Sequence, residues 1–385
     1  MKISTKLIIS SLLISGAAAF LWAKWPLVAN AIAWAEGVKV PNNTVELVKI
    51  RTLQHSSAVL GVGWAPDGHL LAAYSDWGQL ITLWNSDGAR LKELNRREGG
   101  PDYGNSFVFL SGGKQLLTAA AHSSRVDWRL AFNLWDVDTG AVIRSIDGPE
   151  PDKFPQYNMP VAFAASADGR SVAFTSNQQN APVNLYSTLD WSLVRRIPVT
   201  DTDTPLQNAK SLAFSPDGGL LAIGLMGFGK VLLVDLRHPG AVPKVLHIYD
   251  RDHAVSIDSL AFSPDGQFLA TGAGLKNGPE HVKEPTDQAL AHAPIKVWRL
   301  ADQKLMAAYP GSTDPVRQLS WSSDGRFLAA AAGDDTARVF IPGGLPDEAA
   351  VAGFDQPVSS VAFSPAGYEL AVASGTAITI FELKH

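Results

Sequence analysis

The chain has 385 residues, 46% of them apolar, no cysteine and a net charge of −5. That length suits one large all-β domain with a sizeable core. The missing cysteine excludes disulfides, thiolate metal sites, a cysteine nucleophile, c-type haem attachment and a lipidated N-terminal cysteine. The acidic balance argues against non-specific nucleic-acid binding, which needs cationic surface to displace counterions from phosphates.

At the N-terminus Lys2 and Lys6 precede an uncharged, mostly apolar run over residues 7–23, and Lys24 separates it from a second apolar stretch over 25–35. Basic residues, an apolar run and a small-residue exit form the pattern of an export signal. Ala29-Asn30-Ala31 and Ala33-Trp34-Ala35 both offer the A-x-A arrangement for cleavage. The run is also just long enough to span a bilayer if retained. Residues 1–35 are therefore read as a signal peptide or a single membrane anchor, and the positive-inside rule places residues 36–385 outside the cytoplasm, periplasmic or anchored to the inner membrane. Contact with the membrane is expected only through this segment, if it is not cleaved.

Next in the chain is a lone strand, Val45-Glu46-Leu47-Val48-Lys49-Ile50, and then a unit that recurs seven times. Its copies begin at Trp64, Phe109, Phe163, Phe214, Phe262, Trp321 and Phe363. Their spacing of roughly 40 to 60 residues is that of a propeller blade. Each copy has an aromatic residue, a tight turn such as Asp217-Gly218 or Gly112-Gly113, and a short apolar strand such as Leu220-Leu221-Ala222-Ile223. Asp-Gly and Gly-Gly supply the positive φ that a tight hairpin requires. A strand apolar at every position is one covered on both faces, here by adjacent blades. Downstream of each turn comes a bulky third-strand residue: Trp84, Trp135, Tyr186, Val234, Trp298, Phe340 and Phe381. A polar turn and a fourth strand usually follow, which makes four strands per unit. The last unit lacks a fourth strand, and the lone N-terminal strand is expected to supply it and close the ring. The fold class is therefore all-β: a seven-bladed propeller of four-stranded antiparallel blades behind an N-terminal hydrophobic helix.

These units resemble the WD-repeat (WD40-type) β-propeller family over roughly residues 44–385. Trp135-Asp136 is the signature dipeptide, with Trp84-Asn85 and Trp298-Arg299 as near variants. The FSPDG strings also resemble the repeats of TolB-like periplasmic propellers. No blade carries the WD family's Gly-His dipeptide ahead of its first strand, so some of its His-centred hydrogen-bond tetrads are not expected.

Most long segments fall on the face that carries the second-to-third loops and the connections between blades: residues 96–105, 122–130, 147–158, 199–208, 250–255 and 274–294. Long loops in a compact domain carry function more often than short ones. The candidate partner-binding residues are Arg125 and Trp128, Asp250 and Asp252, and His281, Glu284 and His292 in the longest insertion. The two histidines lie too far apart for a recognised metal-ligand spacing, and 122–127 are too close in sequence to converge as a triad. Trp77 and Trp191 are further candidates for exposure. The chain has no G-x-S-x-G elbow, H-E-x-x-H helix, phosphate loop or G-x-G-x-x-G turn. The expectation is a binding module for protein partners, with no catalytic residue, metal or cofactor. The alternatives are a lactonase-like or dehydrogenase-like propeller enzyme, or a small-ligand or glycan binder, with a site at the central channel.

Overall fold

A computed structural model describes residues 45–75, 80–95, 107–124, 127–147, 160–176, 181–199, 208–249, 255–274, 293–309, 315–342 and 349–385. The expected signal or anchor over 1–35 lies outside them. Among the described residues no helix is long and apolar enough to cross a membrane.

The first element among the described residues is β1 (Glu46–Gln54). Blade 1 is β2 (Val59–Trp64), β3 (Leu70–Ser75), β4 (Leu80–Asn85) and β5 (Arg90–Asn95); blade 2 is β6 (Phe107–Leu110), β7 (Gln115–Ser124), β8 (Asp127–Asp136) and β9 (Val142–Asp147). Blade 3 is β10 (Pro160–Ala165), β11 (Ser171–Ser176), β12 (Val183–Ser187) and β13 (Leu193–Ile197); blade 4 is β14 (Ala209–Phe214), β15 (Leu220–Leu225), β16 (Lys230–Asp235) and β17 (Lys244–His247). Blade 5 is β18 (Ser256–Phe262), β19 (Phe268–Gly274), β20 (Ile295–Arg299) and β21 (Lys304–Tyr309); blade 6 is β22 (Val316–Trp321), β23 (Leu328–Ala332), β24 (Thr336–Phe340) and β25 (Ala350–Gly353). Blade 7 has β26 (Val358–Phe363), β27 (Glu369–Ser374) and β28 (Ala377–Lys384).

Blades 1–6 are antiparallel meanders, and the seventh has the order β1-β28-β27-β26. The N-terminal strand thus closes the ring as expected. It is longer than the sequence suggested, pairing with β28 from Glu46↔Lys384 to Gln54↔Ala377.

The turn between first and second strands shows why Ser-x-Asp-Gly recurs. In blade 4 the Ser215 hydroxyl donates to Asp217 Oδ1 and accepts from the Leu220 N–H, the Gly219 N–H donates to the same carboxylate oxygen, and Gly218 takes φ of 68°. Ser166–Asp168, Ser263–Asp265 and Ser322–Asp324 repeat the hydroxyl–carboxylate bond at 2.5–2.7 Å. Hydrogen bonds from Ser166 and the Arg170 N–H hold the Asp168 carboxyl below the ordinary range, and Ser215 and Gly219 do the same for Asp217. The seventh turn has Ala366 in place of the aspartate. A Cβ on Gly68 of blade 1 would lie 2.6 Å from the Ala366 methyl, so the small pair lets the two turns approach.

Burial rises and falls across each blade. Second strands such as β15 and β27 are almost wholly buried, whereas outer strands such as β13 and β21 are largely exposed. The apolar core is accordingly divided into seven clusters, one in each seam between neighbouring blades. Trp84, Trp135, Val234, Trp298, Phe340 and Phe381 are all buried there, as their third-strand positions predict. One His-centred network does form. The Ser57 N–H donates to His55 Nδ1, so Nε2 carries the proton and donates to Thr82 Oγ1 at 2.9 Å, beside the Trp84 ring. In blade 2 the Trp135 indole donates directly to Thr118 Oγ1.

Candidate binding site at the channel mouth

The innermost strand of each blade lines the axis, and six of them share an irregularity. Register slips lie between Val59 and Gly61, Pro160 and Ala162, Ala209 and Ser211, Ile257 and Ser259, Val316 and Gln318, and Val358 and Ser360. A bulge leaves its extra residue outside the ladder and re-aims its side chain. The extra residues are Leu60, Val161, Lys210, Asp258, Arg317 and Ser359. Leu60, Lys210, Asp258, Arg317 and Ser359 line a central cavity of about 540 Å³ walled by residues from all seven inner strands. Each bulge lies where the chain enters its strand from the preceding blade. This end of the channel therefore opens on the face that carries the long connections.

Three consecutive blades place charges at this level: Lys210 on β14, Asp258 on β18 and Arg317 on β22. Burial holds the Asp258 carboxyl above the ordinary range, and the nearby charges of Lys210 and Arg317 oppose that shift only in part. Oδ1 of Asp258 is buried with no hydrogen-bond partner among the described residues. Across the channel the wall is apolar, formed by Leu60 and Trp64 on β2 and by Phe107, Val108 and Phe109 on β6.

Hydrogen bonds between inner strands hold this mouth in shape. Ser211 Oγ donates to Ile257 O at 2.7 Å, the Val62 N–H donates to Ser360 Oγ at 2.9 Å, and the Phe363 N–H donates to Ser320 Oγ at 2.9 Å. The indoles of Trp64 and Trp321 donate to Ala362 O and Ala261 O in the neighbouring blades. The seam between blades 1 and 2 is filled instead by aromatic rings, with Phe107 edge-on to both Tyr74 and Phe109.

The residues singled out from sequence are mostly not at this mouth. Arg125, Asp250, Asp252, His281, Glu284 and His292 lie outside the described residues, as does Trp77. Trp128 is not in a loop: β7 and β8 pair out to Ser124↔Asp127, with Trp128 opposite Ser123. The extra length of this hairpin over the six-residue strands of blade 1 corresponds to about 13 Å of extended chain. Trp191, in a turn at φ of 61°, packs against the core cluster shared by blades 2 and 3. Among the described residues no three His, Asp or Glu side chains converge as a metal site. Sequence reasoning missed Lys210, Asp258 and Arg317. Their signal was present: each stands four residues ahead of the repeat aromatic, Phe214, Phe262 or Trp321.

The comparisons agree with this geometry. The WD40 family pattern (WD domain, G-beta repeat) matches residues 47–85, 244–276 and 303–340. Each match begins within the outer strand of one blade or the turn that leads into it, and runs into the next blade. Protein HIR1 of Mycosarcoma maydis is 26% identical over 335 residues, covering 78% of this chain and 29% of that protein. The chain thus spans less than a third of that relative's length. Nothing in these findings supports the similarity to TolB-like repeats. With its seven four-stranded blades and its matching repeats, the chain belongs to the WD40-repeat β-propeller family.

Proposed function

We propose that this WD40 propeller, a scaffold for protein interaction, engages its partner through the loop-rich face and the channel mouth at its centre, on the outer side of a cytoplasmic membrane. The observation that carries the reading is the set of three charged residues on adjacent bulges, aimed into the mouth and unpaired among the described residues. A purely structural ring has no use for an unpaired buried carboxylate oxygen, because a charge removed from water costs stability unless it is matched. The extracytoplasmic placement rests on Lys2, Lys6 and the apolar run behind them.

Affinity purification of the full chain from its native envelope fraction, followed by mass spectrometry, tests the scaffold reading. A stoichiometric protein partner is expected. A clean monomer carrying a metal or a small molecule would favour a ligand-binding or enzymatic propeller instead. Placement is tested separately by fusing residues 1–35 to a reporter active only outside the cytoplasm. Reporter activity is expected, and its absence would reject export.

A further inference from the structure

Around one arc of the mouth the charges alternate: Lys210, Asp258, Arg317. Adjacent opposite charges on neighbouring strands would ordinarily close into ion pairs. Among the described residues these three make none, and Asp258 Oδ1 lacks even a hydrogen bond. The arc carries a net single positive charge on a chain whose total is −5. Opposite it, Leu60, Phe107 and Phe109 present apolar surface to the same cavity. A cavity of about 540 Å³ is within the range that holds a ligand or a few residues of peptide.

We propose that the mouth binds an acidic–apolar segment of the protein partner: a Glu or Asp carboxylate between Lys210 and Arg317, with an apolar neighbour against Leu60 and Phe107. Charge decides among the candidates. A basic side chain could reach Asp258 only past two cations. A phosphomonoester carries nearly two negative charges, which exceeds the net charge of the arc and is repelled by Asp258. A single carboxylate matches the arc. The inference rests on the scaffold reading and names the chemistry of the partner.

The test uses the full chain and fluorescein-labelled, end-capped octapeptides with Leu-Glu-Phe, Leu-Gln-Phe or Leu-Lys-Phe at their centre, read by fluorescence anisotropy at low salt. The Glu peptide is expected to bind about tenfold tighter than the other two, as loss of a charge-assisted contact implies. Lys210→Gln with Arg317→Gln should abolish that preference while the variant still melts in one cooperative transition, lowered by the loss of the two cations beside Asp258, and Lys210→Arg should keep it. Equal binding of Glu and Gln peptides, preference for the Lys peptide, no binding of any, or displacement by inorganic phosphate at equal concentration would each overturn the inference. In the affinity purification, a partner retained by the double Gln variant would also overturn it and leave the scaffold reading standing. Absence of a protein partner from the unaltered chain would instead remove the scaffold reading itself.

Discussion

The ring of Tyr74 occupies the space in which a side chain on Gly61 would lie. The two are cross-strand partners in blade 1, and a Cβ on Gly61 would come 2.1 Å from Cε1 of Tyr74. At the matching register in blades 4 and 5 the sizes are reversed: Ser211 faces Gly224 and Ser259 faces Gly272. There the serine sits on the inner strand, and the second strand makes room. In blade 1 the second strand carries the bulk, and Tyr74 fills the seam to blade 2 with its ring 5.9 Å from that of Phe107.

Gly61→Ala should therefore displace the half-buried Tyr74 and lower stability by about 1–3 kcal/mol, the usual cost of overpacking. In a Tyr74→Ala background the same substitution should cost much less, because the two residues compete for one space. A double-mutant cycle in urea measures the coupling. Additive effects would show that Tyr74 relaxes away freely.

The third-strand tryptophans separate two kinds of buried indole. The Trp135 indole N–H donates to Thr118 Oγ1 at 3.1 Å, whereas that of Trp298 is buried with no partner among the described residues. Trp135→Phe removes a satisfied bond and leaves the Thr118 hydroxyl with its long bond to Asn133 O at 3.5 Å, so it should cost about 0.5–1.5 kcal/mol beyond the loss of ring volume. Trp298→Phe removes a donor already unsatisfied and should cost clearly less. Chemical denaturation of both variants checks the difference, and equal losses would mean that ring volume alone matters at both sites.

The architecture was readable because its determinants are local. Asp-Gly turns, the all-apolar second strands and the bulky third-strand residues each lie within a few residues of the element they define. The strand from Val45 could be assigned to the last blade because that blade was one strand short. What escaped reading depends on partners distant in sequence. A bulge exists only relative to the strand beside it, so nothing within Lys210-Ser211 or Arg317-Gln318 announces one. The three charges at the mouth are about fifty to sixty residues apart in the chain and meet only through the ring. The extended β7–β8 hairpin was read as a loop because Ala119 to Leu130 mixes small, polar and bulky residues without a clean two-residue alternation.

Ring closure gives a third expectation. The register of β1 shifts between Lys49 and Arg51, and the part beyond the shift still pairs Arg51 with Ile380 and Gln54 with Ala377. Arg51 also holds Glu369 on β27 at 2.8 Å. Removal of the chain through Ile50 should leave the ring partly zipped, with a lowered but cooperative thermal transition. Removal through Gln54 deletes the fourth strand of blade 7 and takes Leu53 out of the core cluster in the seam to blade 1. The second truncation should broaden or abolish the transition. Calorimetry of the two truncations distinguishes this from a ring held by blade stacking alone, in which both would melt alike.

The final expectation concerns the carboxylate at the mouth. Burial is the largest influence on Asp258 and raises its pKa; Lys210 on β14 and Arg317 on β22 counteract it but do not cancel it. The folded protein thus holds that proton more tightly than the unfolded chain does. Such a group favours folding fully only below its unfolded value, and the contribution is lost as pH rises through the folded value, where the buried oxygen must carry charge without a partner. Asp258→Asn removes the ionisation and keeps the shape. The variant should melt above the parent chain near neutral pH, and the gap should shrink as pH is lowered through the folded value towards the ordinary carboxylate range. A parent chain that is the more stable at neutral pH would mean that Lys210 or Arg317 closes onto Asp258 in solution.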